Sequence, residues 1–334
     1  MSKKLDSQNL HAVIQSLPQQ FLDGYKFTDI KIPSNTKKIF FAGMGGSALP
    51  ANLLKTYLST TKTDFPASIK INRDYHLPRV VDKNWCGFFS SYSGNTEEVL
   101  TCLKRAEERG LKKIVVMAHA GQLKEIAQKK HYDFVEIPDT EQPRMSYGFY
   151  VGALLRILVN SKLIDFDVIA FEKDIKKVRS QAKQIEKQAQ VMAKTAKDKT
   201  VLVYATNKWK YLAMVWKINF NENAKTQSFW NAFPEMNHNE MVGFTNLLTK
   251  YKTFIINDPD ENSSNIKRAK IFTKLLGKKL NVENIEMPKG SEMLKMVTTL
   301  QLGLWTSYYL ALLYRIDPAP VDLVEKFKKL MQQP

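Results

Sequence analysis

At 334 residues and 38.4 kDa, with 44% hydrophobic and 25% charged residues, the chain has a globular composition and room for two α/β domains of ordinary size. Its longest apolar run, 149–159, contains Arg156 and falls short of the ~20 residues that span a bilayer. Met1-Ser-Lys-Lys-Leu5 leads into polar residues, so neither a membrane protein nor a secretory signal is expected, and the expected location is the cytoplasm.

Two cysteines, Cys86 and Cys102, read as buried free thiols and support neither a disulfide framework nor a metal site. The formal charge of +17 attracts phosphorylated partners of any size. Its lysines are mixed with acids in stretches such as 172–179, however, which describes a solvated helix face better than a nucleic-acid surface.

The first half alternates short apolar runs with helical patterns, as a parallel sheet covered on both faces does. Strands are predicted over 38–42, 68–71, 87–90, 113–117 and 134–137, with helices starting near Ser47, Asn95, Gly121 and Ser146. Short connections make each strand-helix-strand unit a right-handed crossover, giving a five-stranded doubly wound domain. From Val168 to Ala196, apolar residues recur every three or four positions, through Phe171, Ile175, Val178, Ile185, Ala189 and Met192, which predicts one long amphipathic helix.

Strands are then predicted over 200–204, 226–230, 253–256 and 282–286, with helices between them, so one α/β architecture is used twice without a visible sequence repeat. The expected domains are 1–162 and 163–316, followed by a C-terminal helix over 317–334. Leu300, Leu302, Leu304, Trp305, Tyr308 and Tyr309 are too apolar for an exposed helix and belong either to the core or to an interface.

Two motifs carry chemistry. Phe40-Phe-Ala-Gly-Met-Gly-Gly-Ser47 joins a strand to a helix, and two readings stay open: an anion loop closed by backbone N–H groups, or a tight turn with Ser47 as the helix N-cap. A dinucleotide fingerprint is approached but not completed, since the acid Asp64 precedes the next predicted strand instead of ending it, and no nicotinamide cofactor is expected. Around the second turn, Phe88 to Glu97, stand four hydroxyls at Ser90, Ser91, Ser93 and Thr96, more than a cap uses. Both loops end strands of one sheet and so can converge on its C-terminal edge as a phosphate site.

Gly43-Met-Gly-Gly-Ser47 and Ser91-Tyr-Ser-Gly-Asn-Thr96 resemble the phosphate loops of the sugar isomerase (SIS) domain family, and the chain resembles its bifunctional phosphoglucose/phosphomannose isomerase branch over nearly its full length. The resemblance includes Asn72-Arg-Asp-Tyr-His-Leu-Pro78, Gln142-Pro-Arg144, Asn221-Glu-Asn-Ala-Lys225, Asn237-His-Asn-Glu240 and Leu312-Leu-Tyr-Arg-Ile-Asp-Pro318.

It implies interconversion of glucose 6-phosphate and fructose 6-phosphate, with mannose 6-phosphate as a second aldose, using neither cofactor nor metal. By resemblance, Gly46, Ser47, Ser91, Ser93 and Thr96 hold the phosphate, and Arg144 steadies charge on the substrate oxygens. Glu222 is the base that moves a proton between C2 and C1, although its residues alone read as an ordinary helix-surface glutamate. His238 and Lys328 match the pair that opens the sugar ring, with Lys326 and Lys329 as neighbours that could replace Lys328.

The chain departs from the pattern at Ala48, where related chains carry glycine, and at Ala319-Pro-Val321, where bifunctional members carry a threonine. Members of the branch are homodimers in which the histidine crosses into the other subunit's site. Alternatives are a non-catalytic sugar-phosphate sensor, for which no helix-turn-helix precedes Lys38, or an isomerase of another phosphosugar.

Overall fold

The computed structural model describes residues 5–61, 65–140 and 142–331, so Asp64, the acid weighed against a nucleotide ribose, lies outside the described residues. The chain divides into two compact units: an N-terminal unit of 16–179, and a C-terminal unit that combines 1–15 with 180–334. Helix α1 (Leu10–Tyr25) is divided between them.

In the N-terminal unit β1 (Lys38–Gly43), β2 (Ser68–Asn72), β3 (Cys86–Ser90), β4 (Lys113–Ala118) and β5 (Asp133–Glu136) form one parallel sheet in the order β2-β1-β3-β4-β5. The central strands are apolar on both faces because helices cover both. Phe40, Phe89 and Val116 pack with Leu77, Trp85, Val99 and Leu103 on one face. On the other, Phe41 stacks on Phe88 with ring centroids 6.2 Å apart. The helices are α2 (Gly45–Thr60), α3 (Glu97–Glu108), α4 (Gly121–Lys129), α5 (Tyr147–Asn160) and α6 (Val168–Ser180). Cys86 and Cys102 are buried and free, and burial pushes the Cys86 thiol up to about 12.

The C-terminal unit repeats the plan with four parallel strands, β6 (Thr200–Thr206), β7 (Ser228–Phe233), β8 (Tyr251–Asn257) and β9 (Val282–Glu286), in the order β7-β6-β8-β9. Its helices are α7 (Ala182–Ala196), α8 (Lys210–Glu222), the short α9 (Glu240–Gly243), α10 (Ser263–Leu276), α11 (Glu292–Leu313) and α12 (Asp322–Met331). Helix α11 is buried nearly all round, and Leu300, Leu302, Leu304, Trp305 and Tyr308 are core residues of this unit, which settles the two readings left open for them.

Two expectations change. The single helix over 168–196 is two helices broken at Gln181. Phe171, Ile175 and Val178 bury in one unit and Ile185, Ala189 and Met192 in the other, so a continuous apolar period hides a division of the chain. Strand β7 starts at Ser228, not 226, because Lys225 turns left-handed (φ 54°) and the Thr226 N–H and carbonyl are both engaged by the end of α8.

At the C-terminal edge of the second sheet, Lys295, 1% exposed, holds Asp258 Oδ1 at 2.8 Å and Asp260 Oδ2 at 2.6 Å, and Lys208 holds Asp258 Oδ2 at 2.7 Å. Burial alone would raise the Asp258 carboxyl, but hydrogen bonds from Lys208, Lys295 and Trp209 outweigh it and keep the carboxyl below the usual range. A lowered carboxyl stabilises the fold fully above its unfolded value of about 3.9, and that contribution fades as pH falls toward the folded value. Lys295→Met should therefore cost about 3 kcal/mol by urea unfolding at neutral pH, and the gap to wild type should narrow below about pH 4.

Candidate functional site

In the N-terminal unit, the β1-α2 and β3-α3 loops meet through two serines and a tyrosine. Ser90 Oγ donates to the Ser47 carbonyl at 3.0 Å, and the Tyr92 N–H donates to Ser47 Oγ at 3.1 Å. Ser91 Oγ and Thr96 Oγ1 are hydrogen-bonded at 2.8 Å, while the exposed Ser93 accepts from the Asn95 N–H at 3.3 Å.

The capping reading of Ser47 does not hold. Helix α2 begins at Gly45 and its cap position is Met44, which offers no side-chain bond. Thr96 occupies the cap position of α3 yet makes no capping bond. Both helices thus open with first-turn N–H groups that no capping side chain takes, which is what an anion needs.

Two glycines are dictated by this arrangement. A Cβ on Gly46 would stand 2.8 Å from the Arg144 Cα, so the bare backbone lets the turn Pro143–Met145 press against the first loop. Gly94 has φ 70°, and a Cβ there would meet the Ala120 carbonyl oxygen at 1.8 Å. Gly94→Ala should destabilise the protein by more than about 1 kcal/mol in chemical unfolding, because both the backbone conformation and the space forbid a side chain.

Arg144 itself is buried, with Nη1 donating to Gln142 Oε1 at 2.6 Å. Sequence reasoning missed two tyrosines at these loops. The Tyr92 hydroxyl accepts from the Thr140 N–H at 2.6 Å and donates to Asp139 Oδ1 at 3.0 Å, and its ring stacks on His119 at 5.3 Å. Tyr150 lies wholly buried, and burial pushes its hydroxyl well up, with Ser90 and Ser47 acting against the shift. No signal in the sequence marked either, because their partners lie far along the chain.

In the C-terminal unit Glu222 is the last residue of α8, partly buried. Around it, Asn223 donates to Ser307 Oγ at 2.9 Å, and Lys225 Nζ holds the carbonyls of Asp317 and Pro318 at 2.9 and 3.1 Å. The Glu222 turn and the segment leading to α12 therefore share one end of the unit.

His238 does not join them. Helix α8 runs antiparallel to the strands it links and delivers Glu222 to the N-terminal edge of the sheet, β7 then crosses the sheet, and His238 follows at the C-terminal edge. At ~3.3 Å per residue, the six residues of β7 alone separate the two by about 17 Å. His238 ends a short 3-10 turn and is exposed, and the segment that follows it in the chain carries the exposed Val242 (69%) and Leu248 (88%).

Lys328 pairs with Glu325 at 2.7 Å on α12, and Lys326 and Lys329 are equally exposed. No side chain of α12 is buried. Among the described residues no group of three or more His, Cys, Asp or Glu side chains could hold a metal ion.

Residues 185–331 match the bacterial phospho-glucose isomerase C-terminal SIS domain, a span that holds Glu222, His238 and Lys328. The bifunctional phosphoglucose/phosphomannose isomerase of Caldicellulosiruptor bescii is 32% identical, over 96% of this chain and 98% of its own length. The chain belongs to the bifunctional phosphoglucose/phosphomannose isomerase family.

Family membership thus extends to the N-terminal unit with its two loops, which the domain match alone leaves out. The D-glucosamine-6-phosphate 4-epimerase of Sulfolobus acidocaldarius is 31% identical over 67% of this chain and 69% of its own. Among solved structures, a hypothetical protein of Thermus thermophilus covers 96% of this chain and 89% of its own, with a TM-score of 0.75 at 14% identity, a likeness of fold.

Proposed function

We propose that the chain interconverts glucose 6-phosphate and fructose 6-phosphate, and also mannose 6-phosphate and fructose 6-phosphate, without a metal or cofactor. The observation that carries this reading is the full-length likeness to a relative named for both activities. Small sugar phosphates, not nucleic acids, are its partners. Among the described residues no helix is long and apolar enough to cross a membrane, in keeping with action in the cytoplasm.

The reading gives the phosphate to Gly46, Ser47, Ser91, Ser93 and Thr96, where uncapped helix starts and hydroxyls can surround a dianion. Ring opening needs a proton delivered to O5 and another taken from the anomeric hydroxyl. His238 is given this proton exchange, and Lys328 contributes positive charge and a hydrogen bond. In the open aldose the Glu222 carboxylate takes the C2 proton and leaves a cis-enediolate. The same carboxyl returns that proton to C1 while the hydroxyl proton moves from O2 to O1, and the ketose results. The negative charge of the intermediate falls on oxygens that the Arg144 guanidinium can stabilise.

Because Glu222 and His238 lie at opposite edges of one sheet, a single subunit does not bring them together, which supports a homodimer whose histidine serves the partner's site. The exposed Val242 and Leu248 in the segment that follows His238 suit such a contact.

The likeness to the epimerase favours a second reading, in which the substrate is an amino sugar phosphate. Purified protein incubated with glucose 6-phosphate, mannose 6-phosphate or glucosamine 6-phosphate, with chelator present, separates the two. Fructose 6-phosphate formed from the first two at a rate indifferent to chelator is the expected result. A product from glucosamine 6-phosphate alone would replace the first reading by the second.

A further inference from the structure

We propose that the C-terminal unit carries a second small-molecule site, lined by none of the isomerase residues, which takes an unphosphorylated sugar. A cavity of about 450 Å³ opens at the C-terminal edge of the second sheet, between the ends of β6, β8 and β9 and the inner face of α10. It lies where the strand order turns, since β6 connects outward to β7 and β8 connects the other way to β9. Open α/β sheets bind ligands at such a point. The corresponding edge of the N-terminal unit, at the ends of β1 and β3, carries the glycine loop and the hydroxyl loop.

The chemistry of the two edges differs. Here the chain supplies its own anion: Glu261 accepts from the Thr206 hydroxyl, from the Asn262 N–H at 2.8 Å and from Asn265 Nδ2 at 3.4 Å. The Asn262 side chain in turn caps α10 by accepting from the Ser264 N–H at 2.9 Å. The Thr206 hydroxyl, the Asn262 and Ser264 N–H groups and the Asn265 amide are therefore already taken, which leaves the exposed Lys270 as the one cationic side chain of the lining.

What stays unspent suits hydroxyl groups. Asn257 Nδ2 donates to Asn284 Oδ1 and to Glu286 Oε1, both at 3.0 Å. Among the described residues Asn284 Nδ2, Asn257 Oδ1, Asn265 Oδ1 and Glu286 Oε2 then have no hydrogen-bond partner. All four belong to residues lining the cavity, and Ile266 and Ala269 form an apolar wall beside them.

The Asn284 amide and the Lys270 ammonium as donors, with the three acceptors, match a ligand that both donates and accepts, as a polyol does. The apolar wall fits the C–H face of a sugar ring. A phosphate ester only accepts hydrogen bonds, and it would meet the carboxylates of Glu261 and Glu286 against the single exposed Lys270. The volume lies in the range of small-molecule sites.

Calorimetric titration of the full chain with glucose, in saturating fructose 6-phosphate to occupy any phosphosugar site, tests the proposal. Saturable binding should persist there. Glu286→Ala, which removes an acceptor, and Ile266→Trp, which fills the cavity, should each weaken it about tenfold or more while the isomerase rate stays unchanged. Absence of saturable glucose binding, loss of binding in fructose 6-phosphate, or indifference to both substitutions would overturn it. The two substitutions lie outside the residues assigned to isomerisation, so a failure of the isomerase reading would show in the rate assay and leave this result standing.

Discussion

Replacing Glu222 by glutamine should lower kcat/KM for glucose 6-phosphate and for mannose 6-phosphate by about 10²–10⁴-fold, the usual share of a positioned base. Glutamine keeps the size and hydrogen-bonding reach of the side chain but cannot take a carbon-bound proton at neutral pH. The loss should fall on kcat, with KM changed little, because phosphate binding is assigned to loops of the other unit. Exchange of the C2 proton with solvent, followed by NMR in deuterated buffer, should fall in step with turnover. A variant that still exchanges the proton while failing to release fructose 6-phosphate would remove Glu222 from the role of base. Glutamine at this partly buried helix end keeps the shape of the side chain, and the buried hydrogen bonds of its neighbours Asn219 and Asn223 are left in place.

Much of the architecture was legible because burial on both faces leaves a plain trace. Strands β1, β3 and β4 read as short apolar runs, and their neighbours follow from right-handed crossovers between parallel strands. Where the sequence misled, the reason was a local pattern serving two masters. The apolar period through Val178 and Ile185 continues across Gln181 although the residues on either side belong to different units. Partition by pattern placed a boundary near residue 162. By compactness, 163–179 goes with the N-terminal unit, where Phe171 packs against Tyr25 and Phe166, and 1–15 goes with the C-terminal unit, where Tyr308 donates to Asp6.

For the candidate site, the sequence offers residue types but not their geometry. Ser47 looked like a cap because serine precedes many helices, yet it is held inside the first turn by the Tyr92 N–H, 45 residues away. Lys328 has two equally exposed lysines beside it, and α12 buries none of its own side chains, so packing does not single one out. Along that helix Leu323, Val324, Phe327, Leu330 and Met331 are all exposed, a continuous apolar stripe that periodicity alone would have assigned to a core.

Mixing two inactive variants should restore activity. Glu222 and His238 lie at opposite edges of the second sheet, about 17 Å apart by the length of β7, so the proposed site, if it uses both, should draw them from two copies of the chain. Glu222→Gln and His238→Ala should each be nearly inactive as homodimers. Unfolded together in equal amounts and refolded, they should give half hybrid dimers, each with one site damaged twice and one intact, and so about a quarter of wild-type activity. The arithmetic is specific to a shared site: if each subunit supplied its own glutamate and histidine, every site in the hybrid would carry one lesion and no activity would return. Dilution should abolish wild-type activity in parallel with the dimer measured by sedimentation, since a lone subunit would hold the base without the ring-opening acid. Recovery near a quarter would fix the histidine as a residue of the partner's site, and no recovery on mixing would return both residues to one subunit and require the segment after β7 to move across the sheet.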